Sequence, residues 1–388
     1  LEFNNYNYRN INLQGTLANR RFKGYLDVND ENVDINFNCD VDFTGTLPVL
    51  NFSSEIKKAN LYQLNFIKGD SSAFLSVKMT SNLRGSNIDN MTGTIQLQDI
   101  KYKDKDLQKA CLPTQSPSNG RQGNSFYDIG NIYIVAFDTG IGRSITLNSE
   151  FATGEIFGAF TLSEIENSIK SIASQILPSA DFLTVNGSKD EMQGNLQDFV
   201  FNIKVINGQK LLPLLTSVIS FADGTQIMGE FHSKTNRLHL QVNSNSILFA
   251  DKTFEKVSWN SELLPRDNTG AEYLEFNSWI LCEKLYISDS IWIERFNLQV
   301  KAENDKIFLS AKWDNERDTV HRVSPSYKGT LSCNILFNKN ELSAFHPEID
   351  TARKWNNSAI FRLLPSQIII ADTLWEIQDN NKVELAYG

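Results

Sequence analysis

Four histidines and four cysteines are all that 388 residues carry, and their spacing excludes more chemistry than it offers. His232, His239, His321 and His346 include no pair three or four residues apart, the spacing at which two imidazoles grip one metal ion. Cys39, Cys111, Cys282 and Cys333 lack metal-type spacing too. Cys39 and Cys333 stand on the apolar side of alternating segments, where a thiol packs as a small hydrophobe. An even count permits disulfides in an oxidising compartment, but sequence alone cannot pair them. There is no nucleophile elbow and no P-loop; Gly140-Ile-Gly142 lacks the third glycine and the following helix of a dinucleotide fold. The reading is therefore of a non-enzymatic chain with no catalytic residue, no metal site and no cofactor.

Other absences narrow the class. No apolar run approaches the ~18 residues that cross a bilayer as a helix. No Pro/Gly/Ser-rich linker or long charge run divides the chain, so residues 1–388 read as one continuous segment. The net charge is -9, and the basic groups Arg20-Arg21, Lys57-Lys58 and Lys101/Lys103/Lys105 are small and scattered. Nucleic acid is not an expected partner. The chain starts at Leu1 and ends within a strand-like run, Lys382 to Tyr387; the expectation is a segment of a longer protein whose targeting signal is out of view.

What is abundant is alternation. Phe22, Gly24, Leu26 and Val28 lie on one side of Lys23, Tyr25 and Asp27. After the turn Asn29-Asp30-Glu31-Asn32, Val33, Ile35, Phe37, Cys39, Val41 and Phe43 alternate with Asp34, Asn36, Asn38, Asp40 and Asp42. A period of two is that of a strand, so this is a hairpin with one apolar and one wet face. At ~3.3 Å per residue the second strand runs about 35 Å, long for a compact domain. The many carboxylates fall on the wet side, where solubility explains them without glycosidase chemistry.

The pattern returns along the chain. Ile227, Gly229 and Phe231 lead through Ser233 to Asn236 into Leu238, Leu240 and Val242, with His239 facing outward. Phe296, Leu298, Val300 and Ala302 turn at Glu303-Asn304-Asp305-Lys306 into Ile307, Leu309, Ala311 and Trp313. Leu331, Cys333, Ile335 and Phe337 form a further strand, and shorter runs occur at Ile95, Ile132, Ile145 and Val200. Loosely repeated antiparallel hairpins predict a mainly β protein.

Two stretches interrupt it. Lys101 to Asp128 is rich in turn residues and reads as a loop excursion. From Leu162, apolar residues at Ile165, Ile169, Ile172, Ala173, Ile176 and Leu177 make a helical stripe; Ser163 and Glu166 suggest a capping box and Pro178 a stop. The segment 162–178 is expected to pack on the sheet or plug it. Membrane-surface binding is the weaker alternative, since only Lys170 is basic on the polar side. A second short helix at most fits Leu211 to Leu215 around Pro213.

Ala59-Asn60-Leu61-Tyr62-Gln63-Leu64, the phrase Ser81 to Ile95 with Gly85, Asp89 and Gly93, Arg143 to Ala152 with Gly158-Ala-Phe160, and the late phrase Leu364 to Trp375 together resemble the TamB branch of the AsmA-like family, in its Bacteroidetes form. The resemblance covers most of the chain through degenerate phrases and carries no catalytic signature. It implies an elongated, repetitive antiparallel sheet curved into an open half-pipe, a β-groove with one or two short helices. It also implies a periplasmic protein held in the inner membrane by an N-terminal anchor missing here, a bridge-like carrier of phospholipid, and an outer-membrane Omp85-type barrel as partner.

The residues fit such a carrier independently. Acyl chains need a continuous apolar trough and the outer side must stay in water; alternation over many strands supplies both, at ~0.8 kcal/mol per buried methylene. The expected groove residues are Val33, Ile35, Phe37, Val41, Phe43, Leu238, Leu240, Val242, Leu298 and Val300. Alternation alone equally allows a sandwich with dry, mutually packed apolar faces. Two other functions stay open: a scaffold that offers a sheet edge to outer-membrane β-barrel strands during assembly, and a secreted β-sandwich that binds carbohydrate.

Overall fold

The computed structural model describes residues 1–103, 126–180, 196–211, 219–268, 271–288, 291–315, 327–339, 357–379 and 381–387. These form one long antiparallel sheet, not closed into a barrel, with one short amphipathic helix. The expected mainly β, antiparallel architecture is the one observed. The strands make one ladder rather than the two packed sheets of a sandwich.

The chain divides into two compact units, Leu1–Phe157 with Ile203–Gly224, and Gly158–Asn202 with Thr225–Gly388. In the first, β1 (Glu2–Phe3) and β2 (Tyr6–Asn7) make a separate small hairpin. The ladder then runs through β3 (Ile11–Ala18), β4 (Arg21–Asn29), β5 (Val33–Asp42), β6 (Val49–Asn60), β7 (Phe74–Arg84), β8 (Thr92–Lys103), β9 (Tyr127–Asp138), β10 (Arg143–Ser149) and β11 (Ala152–Ala159). The remaining strands are β12 (Asp198–Val205), β13 (Ile219–Phe221), β14 (Gln226–His232), β15 (Arg237–Phe249), β16 (Lys252–Asn268), β17 (Ala271–Ser288), β18 (Ile291–Glu303) and β19 (Lys306–Asp314). After them come β20 (Lys328–Lys339), β21 (Asn357–Leu363), β22 (Ser366–Ile370), β23 (Thr373–Ile377) and β24 (Val383–Tyr387). Of the expected excursion, Lys101 to Lys103 and Tyr127 to Asp128 are strand, and 104–125 lie outside the described residues.

Local chemistry explains the hairpins. Asn19-Arg20, Ala250-Asp251, Asn304-Asp305 and Ala371-Asp372 all have positive φ at both central positions. They close two-residue loops between the paired residues Ala18 and Arg21, Phe249 and Lys252, Glu303 and Lys306, and Ile370 and Thr373. That is the turn whose twist matches the strands, and its left-handed residues explain the Asn and Asp. Gly93 serves a different need: its φ is +121°, and a Cβ there would sit 2.0 Å from the Asn82 carbonyl oxygen.

The strands are long because alternation survives irregularities. In β6 the inward side passes from Ile56 to Ala59 across Lys57, and in β8 from Leu97 to Ile100 across Asp99. The same change of parity crosses β15 to β18, where Val257, Cys282 and Phe296 give way to Phe254, Leu285 and Ile293 beside Lys256 and Arg295. Asp99, Lys256 and Arg295 hold left-handed backbone. Each of these polar residues reaches a charge on the neighbouring strand: Lys57 to Asp34 at 3.4 Å, Asp99 to Lys78 at 3.0 Å, Arg295 to Asp314 at 3.4 Å, and Lys256 to Glu283. An extra residue bends a strand and would otherwise turn its apolar set outward. Here the residue at the bend is a charged one left on the wet side.

The helix differs in detail from its sequence signature. A 3-10 turn at Leu162–Glu164 leads into α1 (Ile165–Ile176), capped by Glu164 without a side-chain capping bond. Glu166 therefore falls one position short of the capping-box site and pairs with Lys170 at 2.5 Å instead. Helix α1 ends two residues before Pro178, as expected. It packs against β17 and buries Ile172 and Ile176, each 7% exposed, whereas Ile169 is 45% exposed. The stripe is thus narrower than the spacing suggests. Its far end is tied down: Asp305 donates its backbone N–H to the Ile176 carbonyl at 3.0 Å and accepts from the Ser179 N–H at 2.7 Å and hydroxyl at 2.9 Å. The second helix, α2 (Gly208–Leu211), is a single turn; residues 212–218, with Pro213, are not among those described.

Candidate ligand-binding face

Register builds the candidate face row by row. In the first unit Leu13, Leu26, Phe37, Ser54, Met79, Leu97 and Ile132 follow one another across successive strands. The next row is Gly15, Gly24, Cys39, Phe52, Ser81, Ile95, Ile134 and Leu147; the one after is Leu17, Phe22, Val41, Leu50, Leu83, Gly93, Ala136 and Ile145. Cross-strand partners share a face, so these rows form one apolar surface. The rows between them, such as Thr16, Lys23, Asp40, Asn51, Asn82 and Thr94, are polar and lie on the other side. The Phe22 ring lies against the bare backbones of Gly15 and Gly24, and Phe37 meets Phe52 at 5.5 Å.

Most of this surface is half-exposed. Among the described residues two buried clusters close one margin, and Leu83, in the last of these rows, is buried as well. At that margin Val28, Val33, Ala59 and Leu64 cluster with Tyr6, Tyr8 and Ile11, while Ile100, Ile129, Phe151 and Ala152 gather Tyr102, Tyr127 and Leu211. Polar contacts fasten the closure. Asp30, buried beneath the first cluster, accepts from the Tyr6 hydroxyl at 2.5 Å and from the backbone N–H groups of Arg9 at 2.8 Å and Asn32 at 2.9 Å. Burial pushes the Asp30 carboxyl up, but these donors outweigh it and hold it below the usual carboxylate range. Glu150 binds Asn131 and Lys210 beside the second cluster, and the Lys210 ammonium is the main reason its carboxyl is held low.

The second unit repeats the rows with different filling. Ile227, Val242, Trp259, Ile280, Leu298, Ala311 and Leu331 make one, and Gly229, Leu240, Ser261, Ser278, Val300, Leu309 and Cys333 the next. Two serines on an apolar face need partners. The Trp259 indole donates to both hydroxyls at 2.9 Å, and Ser261 donates to Ser278 at 2.8 Å. Phe199 packs against Phe160 at 5.8 Å and Phe231 at 5.6 Å, and Cys282 is a buried free thiol pushed up to about 12 by burial. Cys39 and Cys333 are also free and half-buried; Cys111 is outside the described residues.

The expected groove residues separate accordingly. Ile35, Phe37 and Val41 lie together and half-exposed on the first unit's apolar face, and Phe43 is exposed just beyond β5. Val33 shares their side but is covered by the marginal cluster. Leu238, Leu240, Leu298 and Val300 are half-buried in the second unit, and Val242, 2% exposed, is already covered by protein. Sequence reading missed Leu50, Phe52, Met79 and Leu83, which complete the first unit's rows. Ser54 and Ser81 interrupt the alternation there, and the bulge at Lys57 reverses its phase.

His232 lies 2.8 Å from Asp198, and His239 is exposed on the wet side; His321 and His346 fall outside the described residues. Among those described, no three His, Cys, Asp or Glu side chains are grouped to hold a metal ion, and no helix is long and apolar enough to cross a membrane. No family model, curated protein or solved structure matches this chain.

Proposed function

We propose that the chain is a non-enzymatic lipid-carrying segment that holds phospholipid acyl chains on its apolar sheet face. One observation carries this reading: in the first unit, rows of Leu, Ile, Val, Met and Phe stay in register across strand after strand, half-exposed, with charges confined to the other side. Contiguous exposed apolar surface of this kind is costly unless something apolar covers it. An acyl chain can be held on such a surface by summed contacts, needs no polar partner, and can slide from row to row. The TamB-like phrases point the same way and suggest the setting: a curved, half-pipe sheet in the periplasm, anchored in the inner membrane by a segment outside this chain, carrying lipid toward an outer membrane and working with an Omp85-type barrel.

The test places a carboxylate in the middle of the face. Phe37→Asp is expected to abolish photocrosslinking of a phospholipid along the first unit while circular dichroism stays that of the parent, because an unpaired charge there is expensive to desolvate. Asn36→Asp, on the wet side of the same strand, should label normally. Labelling equal to the parent in folded Phe37→Asp protein would remove the proposal.

A second reading has its own support at the sheet edge. Strand β3 pairs with β4, and its sequence, Ile11 to Ala18, carries no charge and no proline to discourage further pairing. Leu13 and Leu17 on it are 69% and 72% exposed. Such an edge suits a scaffold that receives a strand of another protein during barrel assembly. Gln14→Lys with Thr16→Lys should block strand addition and leave lipid labelling intact; strand addition unaffected by the two lysines would remove the scaffold reading and leave the carrier alone.

A further inference from the structure

On the wet side of the second unit the alternation fails on three adjacent strands. Ile307-Phe308-Leu309 in β19, Ile335-Leu336-Phe337 in β20 and Ala359-Ile360-Phe361 in β21 are apolar at consecutive positions, so both faces are apolar at this place. The inward set is accounted for by the row Ile307, Ile335 and Phe361. The outward set is not: Leu336 pairs with Ile360, and Phe308 lies one row away, opposite Asn334. Together they floor a cavity of about 380 Å³ whose other lining includes Lys301, Lys306, Arg362 and Lys382, with Asn334 and a single carboxylate, that of Glu303. In a chain of net charge -9, four cations against one lining carboxylate leave this cavity with a surplus of positive charge.

Two of these cations are already satisfied. Lys301 is held by Glu275 at 3.0 Å and Glu303 at 3.2 Å, and Lys382 by Glu384 at 3.2 Å. Lys306 and Arg362 have no carboxylate partner among the described residues, and they stand in adjacent rows. An anion bridging them would gain charge-assisted hydrogen bonds, and a guanidinium offers the paired donors that a phosphate or carboxylate fits. A bare anion would leave Phe308, Leu336 and Ile360 uncovered; a neutral alkyl chain would leave the cations unanswered.

We propose that this cavity binds the head of an amphipathic anion, an alkyl phosphate or alkyl carboxylate, with the anion between Lys306 and Arg362 and the first methylenes over Phe308, Leu336 and Ile360. The site is on the polar side of the sheet, so it does not rest on the acyl-chain reading of the apolar face. The same chemistry can come from a phospholipid headgroup or from a free fatty acid.

Calorimetric titration of the full chain with octyl phosphate, octyl glucoside and inorganic phosphate tests it. Octyl phosphate is expected to bind at least about tenfold tighter than either comparator, the worth of one charge-assisted contact. Arg362→Glu and Lys306→Glu, both at exposed positions, should each weaken it about tenfold, and Phe308→Ser should weaken it while leaving inorganic phosphate unaffected. Octanoate in place of octyl phosphate assigns the source: equal affinity points to fatty-acid carboxylates, weaker affinity to a phosphate headgroup. Octyl glucoside binding as tightly as octyl phosphate would overturn the proposal, as would indifference to both charge reversals. Loss of octyl phosphate binding in Phe37→Asp with none in Arg362→Glu would place the probe on the apolar face, ending this proposal and sparing the other.

Discussion

The two units carry the same alternation and put it to different uses. In the second, Phe231, Val242, Leu263 and Ala302 are buried, Phe160 meets Phe199 edge to face and Phe199 packs on Phe231, and α1 adds Ile172 and Ile176. In the first, Phe37, Val41, Leu50, Phe52 and Met79 occupy equivalent inward positions and remain half-exposed, while Leu83 is buried and two dry clusters lie along one margin. A period of two therefore fixes which side is apolar, while what covers that side depends on residues far away in sequence. The second unit covers part of its side, at Val242, Leu263 and Phe231, and leaves Leu240, Leu298 and Val300 half-buried. The first leaves its middle rows half-exposed.

The largest effect that could break this contrast is a truncation in the covered unit. Leu263→Ala should cost about 2–5 kcal/mol, since a fully buried leucine leaves a cavity that its neighbours cannot close, whereas Leu50→Ala should cost only about 1 kcal/mol because half of that side chain is already in solvent. Chemical denaturation with hydrogen exchange to assign the unit would measure both; equal losses would mean that the first face is as dry as the second. Next comes the helix. Ile172→Ala and Ile176→Ala should each cost about 2–4 kcal/mol, and a negligible loss in either would show that α1 is not part of the cover.

A pH titration sharpens the comparison further. Burial alone would push the Glu275 carboxyl up, but hydrogen bonds from Asn277, Lys301 and Arg266 prevail and hold it at about 2, against an ordinary 4.5. A depressed carboxyl contributes stability above its unfolded value and loses it as the pH falls through the folded one. The second unit should therefore weaken between about pH 4.5 and 2, by at most ~3 kcal/mol. Glu275→Gln should remove that slope while leaving the first unit's acid response unchanged. The smallest expected effect is that of Ile169→Ala, within about 0.5 kcal/mol; a larger loss would restore the wider helical stripe.

Much of the fold was legible in the residues because strands declare themselves locally. The hairpin of β4 and β5 could be read with its faces from Phe22 to Asp42, since each inward residue is two positions from the next. Ser54, Ser81 and the bulges at Lys57 and Asp99 hid the faces of β6 to β8, because one extra residue reverses the phase and only cross-strand pairing reveals it. Helix α1 was visible from its spacing, but Ile169 and Ile172 are indistinguishable in sequence; contact with β17 separates them. The outward triplet around Phe308, Leu336 and Ile360 was on view as three ordinary apolar runs, and only their register made a cavity of them.

The sequence by itself determined the strand period, the left-handed Asn and Asp turns that close the hairpins, the wet and apolar sides, and the helix with its stop at Pro178. Those depend on backbone sterics and on transfer from water, which act within a few residues. Tertiary structure alone decided that the strands make one open sheet instead of two packed ones, that Val33 and Val242 are covered while Phe37 is half-exposed, and that Lys306 and Arg362 line one cavity with an apolar floor. Each of these depends on which strand lies next to which, and alternation is the same for a face that will be dry and a face that will stay open.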